Sequence, residues 1–362
     1  MSNAEQNLEP QMTDLAADSA VGSTDLEWQA AAESSAGQTG QSRPAHWQAA
    51  AALGMALFGI SIGSIFFVAA GREMSPNAIA LNRLIIAAIV FAGLNGIQAV
   101  RQPDLIPELR KTNPPKVSDG LLLLAAGVCF ALSLVLLAWS FTQTSVAKAS
   151  LFTHMMPLFT TLGAWLVLGR RFSRRFLIGM MVAVAGAIAI GIDDFGGGDN
   201  SLWGDAAALG VALLFVGRKQ ESKTSRTDAA ALGVALLFAT EILIMEQLRS
   251  RFSVPLLAMG ECAIGSLLLL PTVLLQGESP LPPSRTSAAA VVGLALVTQM
   301  GGHGLITYSL KRFSAGVVSV VLLAVPIISA GLALVAFSQT ISLMDAIAFA
   351  VVLTGIYLSI TK

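Results

Sequence analysis

Residues 140–192 and 309–361 align without a gap, 169 residues apart, yet the basic residues of their loops do not follow the alignment. Ser140, Ser145, Ser150, Pro157, Ala164, Ser173, Ile178, Val182 and Gly186 recur as Ser309, Ser314, Ser319, Pro326, Ala333, Ser342, Ile347, Val351 and Gly355. After the Pro157 segment come Arg170, Arg171, Arg174 and Arg175, where the second copy has Gln339, Thr340, Leu343 and Met344. Before that segment stands Thr142-Gln143, against Lys311-Arg312 in the second copy. Positive charge stays on the cytoplasmic side of a bilayer. Two matching apolar segments with charge at opposite ends therefore cross in opposite directions, as an inverted repeat.

Only 12% of the chain is charged and 54% is hydrophobic, where a soluble domain has about 25% charged residues. Its apolar runs reach about 20 residues, enough to span a bilayer core as helices. Backbone in lipid must satisfy its own hydrogen bonds, which leaves helices or a closed barrel. Barrel strands would alternate over about ten residues, and these runs do not. A net charge of zero gives no reason to expect nucleic acid. Cys129 and Cys262 lie inside apolar runs, so neither a disulfide framework nor a metal spacing is present. Residues 1–46 hold seven acidic residues, one basic residue and many Ala, Ser, Gln and Gly. That composition predicts a disordered cytoplasmic tail, without the pattern of a signal or transit peptide.

Crossings are expected at 47–70, 76–100, 119–141, 146–169, 172–192, 228–248, 254–275, 288–310, 314–337 and 341–361. Basic clusters follow the second, fourth, sixth and eighth spans (Arg101 to Lys116, Arg170 to Arg175, Arg249 and Arg251, Lys311 and Arg312). The expected fold is an all-α integral membrane protein of ten transmembrane helices, arranged as two inverted five-helix repeats. Both termini are then cytoplasmic, in a multi-pass protein of the inner cell membrane. The repeats are 47–192 and 228–362, joined by 193–227. That joint holds a puzzle. Asp205–Phe215 and Asp228–Phe238 read the same eleven residues, DAAALGVALLF. Inversion allows one net crossing between 200 and 253. The second copy is the longer apolar run, and the first, 202–217, remains an alternative for the sixth crossing.

These features resemble the EamA-type members of the drug/metabolite transporter superfamily. The strongest likeness lies in SFTQTSVAKASLFTHMMPLFTTLGAWLVLGRRFSRRFLIGMMVAVAG (Ser140–Gly186). Next comes GHGLITYSLKRFSAGVVSVVLLAVPIISAGLALVAFSQTISLMDAIAFAVVLTG (Gly302–Gly355). Ser75-Pro76 followed by Arg83 also matches the family's second-helix pattern. The chain departs from it at Arg170, Gln339 and Val325, where the family often has acidic residues. The resemblance implies a secondary transporter of a small organic solute, not an enzyme and without a cofactor. It also implies alternating access, export as the usual direction, and a midplane cavity lined by the first, third, fourth, sixth, eighth and ninth helices.

Several residues are candidates for substrate binding or coupling. Gln299, His303 and Thr307 share one face of the eighth span, beside Gly301, Gly302 and Gly304. Such a polar stripe faces a cavity or bonds to a neighbouring helix. His154, one turn after Ser150, allows the same two readings. Glu261 and Glu241 lie deep in apolar spans, where a carboxylate must be paired, protonated or hydrated; either is a candidate to carry a coupling proton. Glu246 is expected to pair with Arg249, and Asp345 to sit at the surface. Arg83 is a candidate to hold an anion or to snorkel towards headgroups. Trp139 and Tyr308 occupy equivalent repeat positions, as cavity lining or as an aromatic belt. Pro157 and Pro326 fall near the middle of equivalent spans, where proline breaks a helix.

Other motifs are rejected. Gly59-Ile60-Ser61-Ile62-Gly63 has the spacing of a nucleophile elbow but lies inside the first span, so it predicts close helix packing instead. Gly196-Gly197-Gly198 lacks the Lys-Ser or Lys-Thr of a phosphate loop. No catalytic constellation is visible, which disfavours a membrane enzyme. A non-transporting membrane sensor or scaffold that keeps the transporter fold is the alternative reading. Expected partners are a small-molecule solute, the lipid bilayer and protons as coupling ion.

Overall fold

The structure, a computed structural model, describes residues 46–101, 116–143, 154–192, 223–337 and 342–361. These residues form ten helices. α1 is His46–Ala70, α2 Pro76–Arg101, α3 Val117–Gln143, α4 Met156–Leu168 and α5 Arg174–Ile192. α6 is Lys223–Arg249 and α7 Val254–Leu275. α8 spans Arg285–Ser309 with a π-helical stretch at Leu294–His303. α9 runs from Ala315 to Phe337 and is interrupted by a 3-10 turn at Leu322–Ala324. α10 is Leu343–Ile360. Seven helices among the described residues are long and apolar enough to cross a membrane. Most of the acidic tail, the triple glycine and the first copy of the duplicated segment lie outside the described residues; the second copy belongs to α6. By internal contacts the chain divides into Met1–Ala51 and Ala52–Lys362. The first unit contributes only the opening turns of α1 to the described residues.

Serines cap the helix starts. The hydroxyl of Ser75 accepts Ala78 N–H in front of α2, and that of Ser173 accepts Phe176 N–H in front of α5. Ser284 and Ser342 form capping boxes with Ser287 and Asp345 at the starts of α8 and α10, and Ser314 caps α9. Each cap satisfies an amide that the first turn leaves without an intrahelical partner. Asp345 therefore works locally, at a helix end. α4 stops at Gly169, whose φ of 63° is the left-handed conformation that glycine tolerates.

The repeat read from the sequence appears as pairs of equivalent helices laid antiparallel. On the α5–α10 contact, Gly179 meets Ser359, Ala183 meets Gly355 and Gly186 meets Val352. One numbering rises as the other falls, so the two helices point in opposite directions. α2 and α7 behave the same way, with Asn77 on Gln276, Leu84 beside Gly265 and Asn95 on Met259. The other extensive contacts exchange between halves. α1 packs on α8 and α3 packs on α6, so neither five-helix repeat closes on itself. Without a hydrophobic force between helices in lipid, close approach through small residues holds such pairs. A Cβ at Gly355 would overlap the Ala183 backbone, and one at Gly63 would overlap the Thr298 side chain. Gly59 and Gly63 thus act as packing residues, as their spacing predicts.

The two ends of the bundle are tied differently. At the end with the α1–α2 and α7–α8 turns, hydroxyls and amides meet carboxylates and carbonyls. Ser284 donates to Glu73, Ser75 donates to Glu278, and Asn82 Nδ2 donates to Pro280 O at 2.7 Å. At the opposite end Arg251 pairs with Asp119 at 2.7 Å, and Arg170 pairs with Glu246. Glu246 also accepts the Ala315 N–H at 3.1 Å. The pairing of Glu246 with Arg249 expected from sequence spacing is not found. Arg249 donates to Phe252 O, and Arg170 reaches Glu246 because α4 packs beside α6.

Candidate functional site

Polar side chains from four helices converge between the halves. Glu241 of α6 and Glu261 of α7 are both buried, and their carboxyl groups lie within hydrogen-bonding reach of each other. Arg83 of α2 lies within electrostatic range of Glu261, Cys262 and His303. Gln299 of α8 is 1% exposed, and its Nε2 donates to Cys262 Sγ at 3.6 Å. His303, one turn later, meets the ring edge of Phe130 from α3 with centroids 5.2 Å apart. Phe130 in turn packs against Phe238 of α6 at 6.1 Å. Cys129 lies beside Glu241. Apolar rings therefore close one side of a compact polar cluster.

The cluster is not fully satisfied internally. Glu261 Oε1, Gln299 Oε1 and Arg83 Nε are buried and have no hydrogen-bond partner. Buried polar atoms without partners are uncommon, because each carries its full desolvation penalty. Two acceptors and one donor are left for something other than the protein. Charge is similarly specific. Two carboxyl groups facing each other cannot both remain ionised without a cation or a shared proton, and Arg83 answers only one negative charge.

Local backbone irregularity sits beside this cluster. The π-helical stretch carries both Gln299 and His303, and such stretches in α-helices recur at functional sites. It packs on α1, where the Thr298 hydroxyl donates to Gly59 O at 3.4 Å, and Ile60 fills the space a Gly302 side chain would need. In α9, the 3-10 turn ends at Ala324 and Pro326 is the second residue of the resumed helix. The Ser61 hydroxyl of α1 donates to Val325 O at 3.1 Å, so α1 also ties to that break.

Of the residues singled out from sequence, Arg83, Glu261, Gln299 and His303 come together. Trp139 and Tyr308 do not join them: they are 43% and 38% exposed on the surfaces of α3 and α8. His154 lies half-buried in the turn before α4. Pro157 is the second residue of α4 rather than a mid-helix residue; its ring fits the first turn, where the missing N–H has no intrahelical role. Residues 144–153, the expected start of that span, lie outside the described residues. Arg83 lies within electrostatic range of Glu261, and its Nε is buried. Glu241 joins the cluster beside Glu261, while sequence reasoning missed Phe130, Phe238 and the π-helical stretch.

The family model of the EamA-like transporter family matches residues 46–192 and again 225–361. The chain belongs to the EamA-like transporter family. It carries two EamA repeats and an all-helical membrane fold, and the family is one of transporters rather than enzymes. A crystal structure of a protein is similar in fold, with a TM-score of 0.66 at 16% identity, over 86% of this chain and 97% of that one. At that identity the likeness speaks for the fold alone. No curated protein matches the chain in sequence. EamA membership suggests transport of a small solute across a membrane and makes the buried cluster the natural candidate for its path.

Proposed function

We propose that this EamA protein is a secondary transporter that moves a small organic solute outwards across the inner membrane by alternating access. The observation that carries the reading is a polar cluster with unanswered hydrogen-bonding atoms, held between antiparallel, equivalent helices. Inverted halves around a midplane site are the general plan of secondary transporters. Rocking one half against the other exposes the site to each side in turn. In this reading 47–192 and 228–362 are the moving halves, 228–248 is the sixth crossing, and 1–46 is a cytoplasmic tail. The end tied by Arg251–Asp119 and Arg170–Glu246 faces the cytoplasm, because the basic loops gather there. The end tied by Ser284–Glu73 and Ser75–Glu278 faces outwards. Protons are the proposed coupling ion, taken up at the Glu241–Glu261 pair.

Labelling with a thiol reagent that does not cross membranes tests the topology. Single cysteines at Arg171 and Ser342 should react from opposite sides of intact cells; reaction from one side would end the alternating-access reading. Purified protein in liposomes should then move an organic solute in response to an imposed pH gradient. Failure to move any member of a broad metabolite panel would favour a non-transporting sensor with this fold.

A further inference from the structure

The two unpartnered acceptors beside the carboxyl pair say what kind of atom is missing. Glu261 Oε1 and Gln299 Oε1 are both buried, and Gln299 is fixed near Glu261 by its bond to the adjacent Cys262. Acceptors are answered by donors. A carboxylate together with an amide oxygen favours a donor that also carries positive charge. The facing groups set the number of charges. Arg83 from α2 offers one positive charge, Glu241 from α6 and Glu261 from α7 offer two carboxyl groups, and His303, Cys129 and Cys262 complete the surroundings. Neutrality in a low-dielectric interior then requires one further positive charge.

We propose that the Glu241–Glu261–Gln299 cluster binds a single positive charge, either a proton shared between the carboxyl groups or the ammonium head of a small primary amine, each excluding the other. The proposal rests on the transport reading and names the solute class for the same site. When the amine enters, its N–H groups bond to Glu261 Oε1 and Gln299 Oε1, and the shared proton leaves to water. When the amine leaves, one proton returns. Both loaded states carry the same charge, so the exchange moves no net charge. The alkyl part of the amine lies against Phe130 and Phe238, which wall the site.

Proton release on binding tests this directly. Detergent-purified full-length protein in weakly buffered solution is titrated with primary alkylammonium chlorides, from methylammonium to hexylammonium, while a pH indicator is followed. At least one amine should saturate and release about one proton per cation bound, as competition at a shared acid pair requires. Its affinity should fall about tenfold for each pH unit once the pair is protonated. Tetramethylammonium has the charge but no N–H, and the alcohols have the chain but no charge; neither should compete. Glu241→Gln and Glu261→Gln should each abolish proton release. Binding of no amine in the series, binding without proton release, or equal binding of tetramethylammonium would overturn the proposal, and wild-type protein alone decides all three. Amine binding with proton release but without flux in liposomes would remove the transport reading and leave the site. A solute flux that survives Glu261→Gln, with no amine bound, would do the reverse.

Discussion

α3 and α8 are equivalent helices of the two repeats, and they have diverged where it matters most. Carrying the repeat back along α3 sets Phe130 against Gln299 and Leu134 against His303. α3 is α-helical throughout, whereas α8 is π-helical from Leu294 to His303. The second half supplies Glu241, Glu261, Gln299 and His303; the first supplies Arg83 and Phe130, and Phe238 of the second half completes the aromatic wall. The fold is doubled, but the chemistry is not. The lesson is that a symmetric frame supplies two equivalent motions, while one asymmetric face supplies the selectivity.

The sharpest way to break this comparison is to disable the polar side. Glu261→Gln should reduce pH-driven flux by about 100-fold or more, as loss of a group in the coupling step typically does. Phe130→Leu, on the apolar side, should leave coupling intact and change only the solute concentration needed for half-maximal flux. Equal losses from the two variants would mean that the halves contribute alike.

A second contrast concerns the symmetric seams. Gly63 on α1 lies hard against Thr298 of α8, while Gly233 on α6 leaves room before Leu136 of α3. Gly63→Val should therefore destabilise the protein by about 1–3 kcal/mol through overpacking, read as a lower melting point in detergent. Gly233→Val should fall within about 0.5 kcal/mol of the native chain, apart from helix propensity. The reverse order would show that the α1–α8 seam is not the tighter one.

A third contrast concerns the two ends of the bundle. Arg251→Gln leaves the buried Asp119 without its cation and should cost about 1–3 kcal/mol, while shifting single-cysteine labelling towards the form open at the basic end. Glu278→Gln keeps a partner for Ser75 and should cost less than about 1 kcal/mol. Raising salt should weaken the first tie and barely move the second, since screening acts on charges. A common salt response at both ends would remove the distinction between them.

Much of this was legible in the chain. Apolar run length gave the helices, and one repeated serine pair, Ser173 and Ser342, caps the equivalent helix in each half. Gly59 and Gly63 predicted a close contact because only small residues permit one. The convergence of Gln299 and His303 followed from helical periodicity. Periodicity tells which residues share a face but not which helix meets that face. Sequence spacing therefore pairs Glu246 with its neighbour Arg249, whereas Arg170, just beyond the end of α4, is the residue that reaches it. The π-helical stretch was invisible for a related reason: its hydrogen-bond register depends on how α8 packs against α1. The sequence marks Glu241 and Glu261 as separate buried acids, and only helix packing brings them together as a pair.

The crossed pairing of α1 with α8 and α3 with α6 has a consequence for biosynthesis. A ribosome that has released only the first five helices leaves both α1 and α3 without the neighbours they are shaped to meet. The early half must wait in the bilayer, its glycine-lined grooves filled by lipid, until α6 and then α8 arrive further along the chain. Cutting the gene between α5 and α6 and expressing both fragments together should still yield a working protein, whereas either fragment made alone should be degraded.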